Sequence, residues 1–265
     1  MSSQADIGII GGSGVYKILP QAKIVKVTTP YAKKAVPVFY GQLAGKAIAF
    51  IARHGVEHSI PPHLINYRAN IFALHKLGVQ SIISSGAVGS LRREMKPGQI
   101  VLADQFIDRT KSRPDTFVSG PRVEHLSAAD MYCPKLRRLA SQSCRELGIS
   151  CHDQATVVVI NGPRFSSRAE SLWFKKMGWD ILSMTQYPEN VLAAELGICY
   201  CNIGLVTDYD AGLEGEPGIK PVTWEQITKT LSRNARLFKD LVKAVVTNIE
   251  TKKTPPGRCN CQENE

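Results

Sequence analysis

The chain has no apolar run of the roughly 20 residues that crossing a bilayer requires. Its first residues, MSSQADIGIIGG, show no basic segment ahead of their apolar stretch, as a secretory leader would have. No internal repeat and no low-complexity linker interrupts the chain. These absences predict a cytoplasmic protein that is not attached to a membrane.

Two common phosphate-binding motifs are also missing. The GK[ST] ending of the P-loop does not occur, and Gly11-Gly12-Ser13-Gly14 lacks the third glycine of the GxGxxG dinucleotide fingerprint. No acidic residue follows on a well-formed second strand. A nicotinamide-dependent oxidoreductase is therefore disfavoured, whereas Gly11–Gly14 are compatible either with an anion site or with a simple tight turn.

Metal-binding spacings are missing as well. None of the seven cysteines belongs to the paired CxxC knuckles of a zinc ribbon. His54 and His58 stand four residues apart, but no glutamate directly follows the first histidine as in HExxH, and Pro61-Pro62 interrupts a helix. We therefore expect no metal.

Seven cysteines are nevertheless many for a cytosolic enzyme. Five of them are interpreted as buried thiols, because a free cysteine packs like a small apolar residue: Cys133, Cys144, Cys151, Cys199 and Cys201. The other two, Cys259 and Cys261, lie in the polar tail. A sharper hypothesis is that these two form disulfides with the body, as in intracellular proteins of hyperthermophiles.

Acidic residues are in the minority, since 33 basic residues against 23 acidic ones give a formal net charge of +10. Such a balance is typical of nucleic-acid binders, but also of enzymes that attract an anionic substrate. The lysines and arginines are dispersed, and no aromatic residues alternate with them. We therefore expect a small anionic ligand and no nucleic-acid partner.

A chain of 265 residues with 43% apolar content can bury the core of one α/β domain. Continuously apolar, β-branched runs predict buried strands at 6–12, 36–41, 47–55, 81–86, 99–107, 156–162, 180–185 and 198–208. Helical patterns alternate with them at 63–78, 134–148, 167–178, 188–197 and 222–250. The alternation predicts a mostly parallel sheet covered by helices on both faces, in a domain over 1–250 followed by a tail at 251–265.

Polar residues follow several predicted strands, at the edge of the sheet where such folds bind ligands. They are hydroxyl, cationic and small residues: Ser13, Arg53, His54, Ser85 to Ala87, and Thr185. Gathered around one anion, they would form a phosphate site of backbone N–H groups, hydroxyls and one guanidinium. A purely structural role for the two histidines of RHGVEH remains the alternative.

Two further segments carry unusual residues. In NGPRFSSRAE, Ser166 or Ser167 and Glu170 are typical of a helix N-terminus, and Phe165 either packs against that helix or offers a flat surface to a ring. In LVTDYDAG, Asp208 and Asp210 follow a buried strand. They indicate either an acidic site at the strand mouth or a solvated turn.

Taken together, several motifs resemble those of the trimeric purine nucleoside phosphorylases, and most closely the branch acting on 5′-methylthioadenosine. In order, they are GIIGGSG, RHG, GAVGSL, GQIVLADQFIDRT, NGPRFSSRAES, SMT with PE and VLAAELG, and VTDYDAG. The resemblance covers roughly residues 7–245 and implies an α/β/α sandwich on a mixed, distorted sheet. It implies a pentosyltransferase in which inorganic phosphate attacks the anomeric carbon of a nucleoside, without metal or organic cofactor.

The resemblance also implies roles for individual residues. Phosphate would be bound by Gly12, Ser13, Arg53, His54, Gly86, Ala87 and Thr185. The sugar would lie over Met184, and the base would contact Phe165, Ser166, Asp208 and Asp210. His125 would reach the neighbouring subunit's substrate, which implies a trimer or a dimer of trimers.

An aspartate at position 208 favours adenine, because in the 6-oxopurine branch an asparagine there donates to O6. The expected reaction is phosphorolysis of 5′-methylthioadenosine to adenine and 5-methylthioribose 1-phosphate. The alternative is a broader or 6-oxopurine nucleoside phosphorylase acting on adenosine, inosine or methylthioinosine. Gly86, where the branch more often has a hydroxyl residue, and Trp224, near the 5′ pocket, depart from the family pattern.

Overall fold

The computed structural model describes residues 4–11, 18–19, 21–121, 125–219 and 222–250. The described strands are Ile7–Gly11 (β1), Lys23–Val27 (β2), Val36–Leu43 (β3), Lys46–Ala52 (β4), Ser81–Ser90 (β5), Ile100–Leu102 (β6), Gln105–Arg109 (β7), Cys151–His152 (β8), Thr156–Ile160 (β9), Ile181–Ser183 (β10) and Cys199–Tyr209 (β11). The helices are Tyr67–Lys76 (α1), Pro134–Glu146 (α2), Arg168–Lys176 (α3), Gln186–Glu195 (α4) and Trp224–Asn248 (α5). None of these helices is long and apolar enough to cross a membrane.

All the strands belong to one mixed sheet. Its main path runs β2-β3-β4-β1-β5-β10-β9-β7, while β11 pairs with β5 and β6, and β6 also pairs with β8. Six pairings are parallel and four are antiparallel. The predicted α/β class and the mixed, distorted sheet are confirmed.

The central strand β5 changes partner along one of its edges. Its first half, Ser81 to Ser84, pairs in parallel with β1, and its last residues, Gly89 and Ser90, pair with β10. Among the described residues, Ser85 to Val88 have no strand partner on that edge. The sheet therefore opens in its middle, next to two residues predicted to bind phosphate, Gly86 and Ala87.

The long strand β11 pairs with β5 on its other edge. Their register is regular from Cys199 opposite Ser81 to Val206 opposite Val88, after which Asp208 lies opposite Gly89. Thr207 is thus one extra residue, a β-bulge. The bulge directly precedes the segment that carries Asp208 and Asp210.

Helices cover both faces of the sheet, as predicted. The apolar faces of α1 and α4 belong to one core cluster, with Leu74 and Leu192 fully buried. The faces of α2 and α5 belong to a second cluster, with Leu136 and Leu241 buried. The result is an α/β/α sandwich, and the resemblance had implied this arrangement.

Some predicted boundaries were wrong. The run 99–107 contains two strands, β6 and β7, because Ala103 and Asp104 leave the sheet between them. The helix predicted from residue 63 begins only at Tyr67, because a 3₁₀ turn at Pro62–Leu64 precedes it and the Asn66 side chain accepts from the Ala69 N–H at 3.0 Å. Neither β2 nor β8 was predicted.

The expectation of buried thiols is met by three of the five cysteines in the body and only in part by the other two. Cys133, Cys144 and Cys201 are buried and Cys151 and Cys199 are half-buried. No disulfide joins any two of these five. The two tail cysteines, and with them the hypothesis of a cross-linked tail, lie outside the described residues.

Candidate active site

A cavity of about 420 Å³ lies at the opening in the sheet, where β4, β5, β10 and β11 end. Nine of the residues predicted for the site line it: Arg53, His54, Gly86, Ala87, Phe165, Met184, Thr185, Asp208 and Asp210. The segment 58–62, Trp224, Ile227 and Leu231 line it as well. Ser166 lies behind the wall, and Gly12 and Ser13 are outside the described residues.

Arg53 lies at one end of the cavity with its side chain buried. Its backbone N–H donates to the carbonyl of Gly11 at 3.0 Å, so the end of β4 is attached to the end of β1. Nε and Nη2 donate to the two carboxylate oxygens of Glu189 at 2.5 and 2.9 Å. Burial acts to lower the pKa of Arg53, but the charge and hydrogen bonds of Glu189 outweigh it and raise this pKa, so the guanidinium stays charged.

His54 is neutral in this environment. Burial, followed by the nearby Arg53 charge, lowers the pKa of His54 to about 4. Its Nδ1 lies 2.8 Å from the carbonyl oxygen of Ile60, which can only accept, so Nδ1 carries the proton. Nε2 is therefore the acceptor nitrogen, and it suits a hydroxyl group of a ligand.

Gly86 leaves space between two donors. A Cβ at this position would lie 4.0 Å from Nη1 of Arg53 and 4.0 Å from Oγ1 of Thr185, with no other heavy atom nearer among its described surroundings. Guanidinium, hydroxyl and the strand backbone thus border the same small space. An oxyanion is the ligand that such a donor set accommodates.

Asp208 lines the same cavity and is 5% exposed. Its Oδ2 accepts from the hydroxyl of Thr207 at 2.7 Å. Burial raises the pKa of Asp208 to about 7; the negative charge of Asp210 also raises it, while the Thr207 hydroxyl opposes both. The carboxyl group can therefore hold a proton near neutral pH and release it to a ligand.

Close packing around Asp208 depends on Gly89. A Cβ at Gly89 would come within 3.2 Å of Oδ1 of Asp208 and 3.6 Å of Cβ of Asp210. A side chain at position 89 would therefore crowd the Asp208 carboxyl group, whereas its contact with Asp210 would be an ordinary one. The backbone of β5 thus approaches the acidic segment closely because residue 89 is a glycine.

Asp210 is connected to the segment that carries Phe165. The hydroxyl of Ser166 donates to Oδ2 of Asp210 at 2.6 Å. Ser167 begins α3 with a capping box, in which its side chain accepts from the N–H of Glu170 and Glu170 accepts from the N–H of Ser167. The predicted helix start is therefore confirmed, and it positions Ser166.

Two residues form flat or apolar walls of the cavity. Phe165 is 36% exposed at the mouth, as its place before the helix had suggested. Met184 follows β10, and a Cβ at Gly162 (φ +63°) would lie only 2.7 Å from its sulfur. The ring and the thioether offer apolar surface between the cationic and acidic ends.

The mouth of the cavity is aromatic and apolar. Trp224, the first residue of α5, is largely exposed, and its ring lies 6.1 Å from that of His58. Ile227 and Leu231 line the same side, one and two helical turns further on. This side suits an apolar substituent of a ligand.

His125 lies apart from these groups. It is exposed and is not among the residues that line the cavity of its own chain. Within one chain, the structure therefore does not bring it together with the other predicted site residues.

Three important residues were missed by the sequence reasoning. Glu189 pairs with Arg53, Ser84 accepts from Arg53 Nη2 at 2.6 Å, and Thr207 donates to Asp208. Glu189 was inconspicuous because an acidic residue in the first turn of a helix is common for its interaction with the helix dipole. Its only signal was its position in the PE motif, Pro188-Glu189, shortly after Thr185.

Comparisons with known proteins agree with the geometry. A family model described as the phosphorylase superfamily matches residues 6–247. The chain is 47% identical over 257 residues to the S-methyl-5′-thioadenosine phosphorylase of Pyrococcus furiosus, with 97% of this chain and 96% of that protein covered. It is 44% identical over 239 residues to a purine nucleoside phosphorylase of Streptomyces coelicolor, with 87% and 84% covered.

The fold has a similar counterpart among solved structures. A methylthioadenosine phosphorylase from Schistosoma mansoni, solved in complex with adenine, superposes with a TM-score of 0.86 at 33% identity. The match covers 92% of this chain and 91% of that chain.

Proposed function

The chain belongs to the phosphorylase superfamily, whose members use phosphate as co-substrate, and from this premise we propose that it converts 5′-methylthioadenosine and phosphate to adenine and 5-methylthioribose 1-phosphate. It is thus a pentosyltransferase. One feature supports the reaction most directly: the same cavity is lined by a buried arginine and by a buried carboxyl group whose pKa is raised to about 7.

At the cationic end, Arg53, His54, Thr185 and the backbone of Gly86 and Ala87 bind phosphate, together with Gly12 and Ser13. Because His54 carries its proton on Nδ1, its Nε2 accepts a hydrogen bond from the phosphate hydroxyl or from a sugar hydroxyl. The bound anion lies below the anomeric carbon and stabilises the oxocarbenium-like transition state electrostatically.

At the acidic end, the departing adenine becomes electron-rich as the glycosidic bond breaks. Asp208 supplies a proton or hydrogen bond to N7, and as a carboxylate it accepts from the 6-amino group. Asp210, which accepts from Ser166, orients or assists it. Phe165 stacks on the base and Met184 lies under the sugar.

The proposed assembly is supported by His125, which is exposed and lies outside the cavity of its own chain. We place it at the 5′ end of the neighbouring subunit's substrate, in a trimer or a dimer of trimers. The molar mass in solution tests this assembly.

A broader purine nucleoside phosphorylase is the second candidate, favoured by the Streptomyces coelicolor relative. Assays of 5′-methylthioadenosine, adenosine, methylthioinosine and inosine, each with and without orthophosphate, distinguish the two. We expect adenine release from 5′-methylthioadenosine only with orthophosphate. Equal release without it would contradict phosphorolysis, and faster turnover of inosine would favour the second candidate.

A hydroxyl at position 86 should strengthen phosphate binding. Gly86→Ser adds a hydroxyl at the edge of the space bordered by Arg53 and Thr185, where a Cβ meets no atom closer than 4.0 Å. One additional hydrogen bond of about 0.5–1.5 kcal/mol predicts a phosphate KM lower by about 2- to 10-fold. The matched control is Gly86→Ala, which adds a methyl group without a donor and should not lower this KM.

The aromatic mouth should select the methylthio group. Trp224→Ala removes the largest apolar surface there and should raise the KM for 5′-methylthioadenosine by about 10-fold, with a smaller effect for adenosine. Steady-state kinetics with both nucleosides at saturating phosphate measures the difference. Leu172→Ala, an exposed apolar residue of α3 outside the cavity, is the control; equal effects of Trp224→Ala on both nucleosides would contradict the assignment.

A further inference from the structure

The donors of Arg53 are almost all occupied inside the protein. A guanidinium has five N–H groups. Nε donates to Glu189, Nη2 donates to Glu189 and Ser84, and Nη1 donates to the carbonyl of Ser85 at 2.7 Å. Among the described residues, these four bonds leave a single N–H, on Nη1, for a ligand.

This remaining N–H belongs to the part of the guanidinium nearest the cavity. Nη1 is the atom that borders the space at Gly86, opposite the hydroxyl of Thr185. The other edge of the guanidinium, formed by Nε and Nη2, is bound side-on by both oxygens of the Glu189 carboxylate. The carboxylate therefore determines which edge of Arg53 faces a ligand.

Glu189 is itself held firmly. It is 1% exposed, and its Oε2 accepts from the hydroxyls of Ser84 and Tyr200, each at 2.9 Å. Asn202 donates to the same Ser84 oxygen at 3.2 Å. Three strands and one helix thus converge on one carboxylate: β4 ends next to Arg53, β5 carries Ser84, β11 carries Tyr200 and Asn202, and α4 carries Glu189.

The helix that carries Glu189 also starts at the phosphate site. Thr185, whose hydroxyl borders the space at Gly86, is the residue directly before α4, and Glu189 lies in its first turn. The backbone is not helical at Tyr187 and Pro188 between them, so the hydroxyl and the partner of the guanidinium belong to one short segment of the chain rather than to one regular helix.

We infer that Glu189 is a positioning residue for phosphate: it orients Arg53 so that a single Nη1–H, beside Thr185, is presented to the attacking phosphate. This inference depends on the proposed function, since it concerns the co-substrate of that reaction. Glu189 touches neither the phosphate nor the nucleoside and acts only through Arg53.

If only charge mattered, removing the Glu189 carboxylate would lower the phosphate KM instead of raising it. The Glu189 carboxylate neutralises Arg53, so removing its charge would leave a net positive site and should attract a phosphate anion more strongly. If orientation matters more, removing the charge frees the guanidinium to turn and weakens phosphate binding. The sign of the change in phosphate KM therefore distinguishes the two effects.

The test is Glu189→Gln, which keeps the shape of the side chain but places an amide against donors. We expect the phosphate KM to rise about 10- to 100-fold, the scale of one lost hydrogen bond to a charged group. The KM for 5′-methylthioadenosine and kcat at saturating phosphate should change less than about 3-fold. A lower or unchanged phosphate KM in the folded variant would overturn the inference.

Two further variants keep the test decisive. Ser84→Ala removes one contact of Nη2 without leaving a buried charge unpaired, and it should raise the phosphate KM several-fold even if Glu189→Gln fails to fold; no rise would contradict the inference. Glu195→Gln makes the same chemical change at the other end of α4, where Glu195 accepts from the N–H of Phe117, and should leave this KM unaltered. Failure of the wild-type protein to consume 5′-methylthioadenosine with phosphate would instead refute the proposed function.

Discussion

Asp208→Asn is expected to lower kcat/KM for 5′-methylthioadenosine by about 10²- to 10⁴-fold, the usual contribution of a general acid. An asparagine cannot release a proton to N7, but its NH₂ can donate to the O6 of a 6-oxopurine. The preference for 5′-methylthioadenosine or adenosine over inosine should therefore fall sharply or reverse. Measuring kcat/KM for the three nucleosides tests this, with Asp240→Asn, an exposed site on α5, as control.

The pH dependence of the rate, measured for the wild-type protein and for Asp208→Asn, tests the role of Asp208 independently. With the pKa of Asp208 raised to about 7, the wild-type rate at saturating phosphate should fall as pH rises through about 7, because the proton is lost. Asp208→Asn should lack this decline. An unchanged ratio of adenosine to inosine kcat/KM, or the same decline in the variant, would contradict the role of Asp208.

Stability should respond to pH in the opposite sense to an ordinary aspartate. In the folded protein the pKa of Asp208 is about 7, above the value of about 3.9 for an aspartate in an unfolded chain. The folded state is therefore most stable, with respect to this group, below about pH 4, where Asp208 is protonated in both states. This stability is lost as pH rises through 7. Ionised Asp208 then costs up to about 4 kcal/mol of unfolding free energy at pH 8. Asp208→Asn should therefore raise the Tm at pH 8 and leave it nearly unchanged at pH 4.

Arg53→Ala is expected to raise the phosphate KM by about 100-fold, since it removes both a charge and a directed N–H from the phosphate site. The variant also leaves the buried Glu189 carboxylate without its cation, which costs about 3–5 kcal/mol of stability. A comparison with the double variant Arg53→Ala/Glu189→Gln separates the two effects. The double variant should regain much of the lost Tm while its phosphate KM stays high.

Arg236→Ala is the matched control for this experiment, because Arg236 is almost fully exposed on α5. It should change neither the phosphate KM nor the Tm appreciably. A phosphate KM for Arg53→Ala within about 2-fold of the wild-type value would remove Arg53 from the phosphate site.

Residues at the ends of strands could be predicted because one local rule governs them. Arg53 follows β4 and Thr185 follows β10, so the general position of ligands at such edges predicts that they lie together. Gly86 and Ala87 were predicted at the exit of a strand over 81–86, but they lie within β5, which continues to Ser90. Asp208 was predicted for the same reason. In each case the signal was a polar or small residue next to a continuously apolar run.

Partners of these residues could not be predicted, because they depend on packing between distant segments. Glu189 lies 136 positions from Arg53, and a glutamate in a first helical turn is normally solvated. In the folded protein Glu189 is instead buried, and it pairs with the guanidinium of Arg53. The split between β6 and β7 was missed for a related reason, since the whole run 99–107 is apolar enough for one strand.

The bulge at Thr207 divides β11 into a part that belongs to the centre of the sheet and a part that carries site residues. Up to Val206, the strand is bound in register to β5, and any shift there would disturb the whole centre of the sheet. Beyond the bulge, only Asp208 and Tyr209 still pair with β5, opposite Gly89 and Ser90 in a shifted register, and Asp210 lies past the end of the strand. Residue changes there can alter which purine is accepted while the scaffold keeps its shape, so this segment is the natural place to redesign base selectivity.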